Sequence, residues 1–413
     1  MRLLELPEIR SLNTLTRDSR LLFETRIVRL FAYGSISVIL VLYLAQMNFN
    51  EVQIGQLLSL TLVGDAAVSL WLTTHADRIG RRRTLLIGAG LMMAAGLVFA
   101  FTNNYVLLVL AAVIGTISPS GNEVGPFLAV EQSGLAQTIP DKARTQIFAW
   151  YNLAGSLATA CGALFAGGLT GLLQNLGYRP LISYQIMLVC YALLGCILLL
   201  IFRQLSPAIE TATPPIKQNF GLHRSRRVVL RLSALFALDA FGGGLVVQSF
   251  VAYWFFIRFG VDAAVLGAIF FGANLFSGLS ALAAARIADR VGLINTMVFT
   301  HLPSNLLLML VPLMPSLPLA VLVLLARFSI SQMDVPTRQS YVMAVVQPNE
   351  RSAAAGVTGI VRTMGAACSP VLSGLMLNAG WLSLPFFAAG SLKILYDLIL
   401  YRSFRSLKPY QER

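Results

Sequence analysis

Twelve stretches of this chain are apolar for long enough to cross a bilayer, whose core of about 30 Å needs some 20 helical residues at 1.5 Å each. They lie near residues 27 to 47, 52 to 75, 84 to 102, 105 to 137, 143 to 173, 181 to 202, 228 to 257, 263 to 287, 292 to 314, 317 to 346, 352 to 379 and 383 to 402. A spanning segment must satisfy its own backbone groups, and these runs lack the period-two alternation of barrel strands, so each reads as a helix. Composition agrees, since 56% of the 413 residues are apolar and only 12% are charged, against about 25% charged in soluble domains.

An even number of spans puts both termini on one side. Of the 31 lysines and arginines, 25 fall in the tails and in the loops on the side of the N-terminus. The opposite loops hold only Arg179 and Arg258, and Arg327, Arg338, Arg362 and Lys393 lie within spans. Basic loops stay in the cytoplasm, so the reading is a multi-pass protein of the cell membrane with both termini cytoplasmic. The net charge of +13 follows from this bias and calls for lipid rather than nucleic acid as the partner. The first residues carry charges among short apolar pieces, including "LLELPEIRSLNTL", and read as a cytoplasmic tail over 1–26 rather than a cleavable signal. Cys161, Cys190, Cys196 and Cys368 all fall in spans without metal-ligand spacing, so neither a disulfide, a metal site nor a cofactor is expected.

The polar, proline-bearing stretch "RQLSPAIETATPPIKQNFGLHRSRR" at 203–227 separates six spans from six and reads as a cytoplasmic linker. It divides an N-terminal half, 27–202, from a C-terminal half, 228–403, with a short tail over 404–413. The halves echo each other. "ADRIG" at 76–80 recurs as "ADRVG" at 288–292, and at an offset of 207 Glu131 aligns with Arg338, Arg144 with Arg351 and Cys161 with Cys368. The fold class is therefore all-α and integral to the membrane, with twelve transmembrane helices in two pseudo-symmetric six-helix halves. Parallel repeats of this kind belong to transporters that alternate access around a site near mid-membrane.

The twelve-span layout, the central basic loop and "DRIGRRR" after span 2 resemble the major facilitator superfamily, across the whole chain. The family's loop motif runs Gly, three residues, Asp, Arg or Lys, any residue, Gly, then two basic residues. Thr73 stands where the family prefers Gly, and in the second copy Ala285 and Leu293 replace the Gly and the later Arg. The resemblance implies a cytoplasmic gate at Asp77, Arg78, Gly80, Arg81, Glu131 and Arg144 and, in the second half, Asp289, Arg290, Gly292, Arg338 and Arg351. It implies that Arg81 pairs with Glu131, low on span 4. Because Leu293 removes the equivalent arginine, Arg338 is expected to face Asp289 instead.

Ionisable residues inside spans face a cavity by default. Asp65, Glu123, Asp239, Asp334, Arg362 and the Lys393/Asp397 pair sit at middle depth. The resemblance implies that spans 1, 4, 7 and 10 line the cavity, and Glu123, Asp239 and Asp334 fall on that set. "TISPSGNEVGPF" puts Asn122 and Glu123 at a helix break, and "LDAFGGGLVVQSF" gives span 7 a place to bend between Asp239 and Gln248. Carboxylates in such a setting can exchange protons, whereas the charge of Arg362 is permanent and suits an anion. Lys393 and Asp397, four apart on a helix, read as a mutually neutralising pair.

The function read from these residues is secondary active transport, coupled to protons, with export of a small organic compound by a monomer. A rival is a carrier of organic or phosphorylated anions that uses Arg362. A third reading, a non-transporting receptor or a membrane enzyme, finds no metal cluster, nucleophile elbow or added soluble domain. No phosphate-binding loop for ATP occurs in the sequence.

Overall fold

The computed structural model describes residues 15–140, 144–210, 224–347 and 350–405. Most of the "LLELPEIRSLNTL" stretch, the linker from 211 to 223 and the C-terminal tail from 406 lie outside them. No strand occurs among the described residues. In chain order the helices are α1 (Arg17–Gln46), α2 (Glu51–Ile79), α3 (Arg81–Phe101), α4 (Tyr105–Ile114), α5 (Phe127–Thr138), α6 (Arg144–Asn175), α7 (Pro180–Phe202), α8 (Arg226–Leu245) and α9 (Gln248–Phe259). They continue as α10 (Ala263–Val291), α11 (Leu293–Leu310), α12 (Leu317–Ser331), α13 (Asp334–Val345), α14 (Arg351–Ala367), α15 (Pro370–Asn378) and α16 (Leu384–Phe404).

Eleven helical stretches among the described residues are long and apolar enough to cross a membrane. The remaining span is the fourth, which is interrupted: α4 ends at Ile114 and α5 starts at Phe127. Pro119 and Pro126 flank the gap, and Gly121 and Gly125 take φ of +71° and +80°, a region that residues with a Cβ rarely adopt. The freed carbonyls find donors inside the protein, as lipid depth requires. Tyr33 Oη donates to Val124 O at 3.2 Å, Ser118 Oγ to Asn122 O at 2.7 Å, and Tyr191 Oη to Thr116 O. Span 7 breaks between Leu245 and Gln248, directly after its glycine run.

One boundary differs from the sequence reading. α1 begins at Arg17, where Thr16 Oγ1 caps it by accepting from Ser19 N at 3.2 Å and Asp18 occupies the first turn. An N-cap hydroxyl and an early acid both stabilise a helix start. Residues 17–26, read from the sequence as part of a tail, are thus helical and continuous with the helix that carries span 1; their charges hide this from a hydropathy count.

The chain forms two compact units, one drawn from 1–47, 64–216 and 262–271, the other from 48–63, 217–261 and 272–413. In the first, α1 packs along α6 and α7, and α3 along α7; in the second, α8 packs along α14 and α16, and α11 along α16. First span meets fifth and sixth, and third meets sixth, in each half. The α1–α6 crossing is made by glycine: a Cβ on Gly34 would strike the Thr159 carbonyl, and one on Gly162 the Phe31 carbonyl. At the equivalent crossing a Cβ on Gly365 would lie 2.5 Å from Ala237 O. Small residues let helix backbones approach in lipid, where packing rather than hydrophobicity holds helices together.

Gly162→Ala must push α6 off α1, and overpacking of this kind costs roughly 1–3 kcal/mol. Gly168, on the same helix, has nothing within 4 Å of an added Cβ. The expected result in detergent is a lowered melting temperature for Gly162→Ala and an unchanged one for Gly168→Ala.

Candidate functional site: two buried ion clusters

In the first unit α1 carries Arg26 and Arg29 on one face, as the i, i+3 spacing requires. Arg29 is fully buried. Its guanidinium forks onto Glu131, with Nη1–Oε1 at 2.6 Å and Nη2–Oε2 at 2.8 Å, and also reaches Glu123 at 3.1 Å through Nε and Nη2. Arg26 Nη1 meets Glu123 Oε1 at 2.5 Å, and its Nε donates to Tyr151 O at 2.8 Å. Thr25 Oγ1 donates to Glu131 at 2.8 Å, and Tyr151 Oη donates to the same carboxylate. Two guanidiniums and two carboxylates leave no net charge. Burying such a cluster is tolerable only because each charge is paired and hydrogen-bonded.

Glu123 reaches Arg29 from the interrupted stretch of span 4, which aims it across the bundle. Its neighbour Asn122 is exposed. Asp65, on α2, faces the same stretch and accepts from Gly125 N at 2.5 Å and Ser69 Oγ at 3.1 Å. Among the described residues Asp65 makes no ion pair.

The second unit has its own cluster. Asp239 on α8 receives Lys393 Nζ at 2.6 Å and Arg338 Nη1 at 3.1 Å, with His301 Nε2 at 3.7 Å. Arg338 Nη1 also meets Asp334, one turn back on α13, at 2.9 Å. His301 Nδ1 lies 2.9 Å from Asp397 Oδ1, and Asn305 Nδ2 donates to Asp397 Oδ2 at 3.1 Å. Lys393 and Asp397 therefore do not neutralise each other as expected; each turns to a different neighbour. Gln248 is buried at the start of α9. Arg327 on α12 and Arg362 on α14 stand close enough to feel Asp239 and Asp334. Neither makes an ion pair among the described residues, and the Nε–H of each is buried without a hydrogen-bond partner.

The loop charges are arranged differently from the expected gate. Arg81 does not meet Glu131, which is taken by Arg29. Arg81 Nε bonds Asp77 at 3.1 Å and its Nη1 donates to Ile209 O at 3.2 Å. Arg338 does not face Asp289 either, because Asp239 and Asp334 hold it. Asp77, Arg78, Asp289 and Arg290 are exposed. Gly80 and Gly292 turn the chain at φ of +99° and +88°. A missed residue completes the first loop: Glu210 accepts from Arg81 N at 2.7 Å and Arg82 N at 3.1 Å, capping the start of α3. Glu350 does the same for α8, accepting from Arg224 N at 3.0 Å and Ser225 N at 2.9 Å. Arg144 and Arg351 are equivalent too. Each donates at 2.9 Å to a carbonyl in the preceding helix's last turn, Ala136 O and Met343 O, where a cation is favoured.

Arg29→Gln leaves the buried Glu131 and the half-buried Glu123 with too little positive charge, and breaking a buried pair costs roughly 3–5 kcal/mol. The expected outcome is loss of monodisperse protein after detergent extraction. Asp289→Asn, at an exposed site without an ion pair among the described residues, should elute as the wild type does.

The Major Facilitator Superfamily model matches residues 23–331 and 258–413. An uncharacterized membrane protein of Saccharomyces cerevisiae is 31% identical over 418 residues, covering 93% of each chain. The crystal structure of a bacterial homologue of the human lysosomal transporter Spinster, inward-facing and occupied, aligns with a TM-score of 0.71 at 15% identity, over 94% of this chain and 97% of that one. The nucleoside transporter NupG aligns at 0.73 and 15%, over 94% of this chain and 100% of that one. Both likenesses are of fold. A twelve-span chain with two repeated halves, matched along its length by that family model, belongs to the major facilitator superfamily, a family of membrane-embedded transporters of small molecules.

Proposed function

We propose that this chain is a proton-coupled exporter of a small organic anion, working as a monomer in the cell membrane with both termini cytoplasmic. The observation that carries the reading is the pair Arg327 and Arg362, whose buried Nε–H groups lack partners among the described residues. Guanidiniums present planar forks suited to a carboxylate or phosphate, and a buried donor without an acceptor costs about 1–3 kcal/mol until a ligand supplies one. The acids that would favour a cation on sequence grounds are already occupied: Glu123 by Arg26 and Arg29, Asp239 by Lys393 and Arg338, Asp334 by Arg338.

Asp65 is the proton carrier in this reading, since among the described residues neither an arginine, a lysine nor a histidine pairs with it. Its two hydrogen bonds come from Gly125 N and Ser69 Oγ, so it can gain a proton without breaking an ion pair. The basic bias of the cytoplasmic loops supports the orientation. Export is favoured energetically: an anion leaving and a proton entering each move charge down an inside-negative potential, about 2.3 kcal/mol per charge per 100 mV. Asp77 and Arg81, paired with each other, and the linker's Glu210, which accepts from Arg81 N and Arg82 N, form the cytoplasmic end that must rearrange as access alternates.

The test is proton flux in everted membrane vesicles, with a pH-sensitive dye and panels of carboxylates, phosphate esters and organic cations. Anions alone are expected to dissipate the gradient, with Arg362→Gln and Arg327→Gln each weakening the response at least about tenfold, the equivalent of ~1.4 kcal/mol. Asp65→Asn should abolish proton flux while the same anion still raises the melting temperature of the purified variant. Dissipation by cations, with Arg362→Gln behaving as wild type, would replace this reading with cation export.

A further inference from the structure

Between α11 and α16 the second unit buries a histidine that the proposed function leaves unused. His301 shares a buried face of α11 with Asn305, and Asp397 on α16 is fully buried. Both ring nitrogens of His301 face carboxylates. Nδ1 lies 2.9 and 3.1 Å from the two oxygens of Asp397, and Nε2 lies 3.7 Å from Asp239 Oδ1. Asn305 Nδ2, which donates to Asp397 Oδ2, is 3.2 Å from Nδ1. A neutral imidazole carries one N–H and one lone pair, whereas the imidazolium carries two donors. With Asp239 and Asp397 both ionised, the neutral ring would turn a lone pair toward one of them, and only the charged ring suits both.

The other charged or titratable groups around His301 are Lys393 and Tyr396 on α16, with the Tyr396 ring edge-on at 6.0 Å between centroids. Beyond Asp239 stand Arg338 and Asp334 on α13, Arg327 on α12 and Arg362 on α14. Lys393 is one turn from Asp397 on the same helix, where opposite charges ordinarily pair, yet its Nζ goes to Asp239 at 2.6 Å. We infer that an imidazolium at His301 causes this choice: it neutralises Asp397, releases Lys393 to Asp239, and so leaves Arg327 and Arg362 unpaired for the anion. Asp239, Asp334 and Asp397 are then balanced by Lys393, Arg338 and His301, and a buried charge persists only when balanced in this way. Loss of the His301 proton leaves Asp397 short of a cation. Lys393 turns back to it, and Asp239 draws Arg362 into the place that Lys393 leaves. His301 is thus a positioning residue through which anion binding is present while the ring is charged and lost as the pH rises; this consequence rests on the anion reading above.

The chain contains three histidines, so 15N-histidine NMR of the full protein in detergent identifies His301 as the signal missing from His301→Gln. At about pH 7.5, where an unpaired imidazole is mostly neutral, that signal should show the two similar ring-nitrogen shifts of an imidazolium. The widely separated shifts of a neutral ring would overturn the assignment. Anion binding is read from the melting temperature with succinate and phenyl phosphate as probes, both of which keep their charge from neutral to alkaline pH. Wild-type binding should weaken as His301 loses its proton. His301→Gln should weaken binding about tenfold, an ordinary coupling between sites. His301→Gln combined with Asp397→Asn removes both charges, and should recover binding and lose its pH dependence. A double variant that melts as the wild type does but binds no better than His301→Gln would also overturn the assignment. If neither probe binds the wild type, the anion reading fails, while the NMR spectrum still decides the charge on His301.

Discussion

A charge at membrane depth must bring its own solvent, and this requirement organises both units. Arg29 is the clearest case. It is fully buried, and Glu123, inside the interruption of span 4, and Glu131, on α5 just after it, both approach it. Helix α1, the broken span and α6, through Tyr151, are thereby fastened at one point. The interruption gives Glu123 its direction, and Tyr33 and Tyr191 satisfy the carbonyls it releases. The glycine crossing of α1 with α6 brings these partners within reach. A helix pair held one side chain further apart could not close the cluster.

The number, length and repetition of the spans are written in hydropathy, because lipid rewards a continuous apolar run and little else. The break in span 4 is equally plain, since prolines and glycines remove donors and Cβ atoms where a helix needs them. The start of span 1 is not legible in this way. Arg17, Arg20, Arg26 and Arg29 resemble a topogenic cluster when counted by charge, and only a helical projection shows Arg26 and Arg29 sharing one buried face. Mid-depth acids could be named from the sequence, but their partners could not. The resemblance pairs Arg81 with Glu131, and the repeat pairs Arg338 with Asp289; distance in three dimensions assigns both differently. The role of Glu210 is not legible in the sequence, because a single acid in a polar linker carries no pattern.

The family's loop motif gains a local explanation. Gly80 makes the turn from α2 into α3, Asp77 and Arg81 pair across it, and Glu210 accepts from the two N–H groups that start α3. In the second half Leu293 stands in place of the arginine, and the turn at Gly292 keeps its conformation without the ion pair. Backbone geometry at this corner therefore depends on the glycine, while the charges add the attachment of the linker.

The two ion clusters make the same connection with opposite signs. In the first unit a cation on the first span, Arg29, meets an acid on the fourth, Glu131; in the second an acid on the first span, Asp239, meets a cation on the fourth, Arg338. Two halves built on one plan run a risk during synthesis, because a helix of one could dock in the equivalent groove of the other. The sign exchange opposes that error. A swapped first span would set Arg29 against Arg338, or Asp239 against Glu131, and like charges in lipid repel with no water to screen them. The inversion thus penalises an exchange of first spans between the halves.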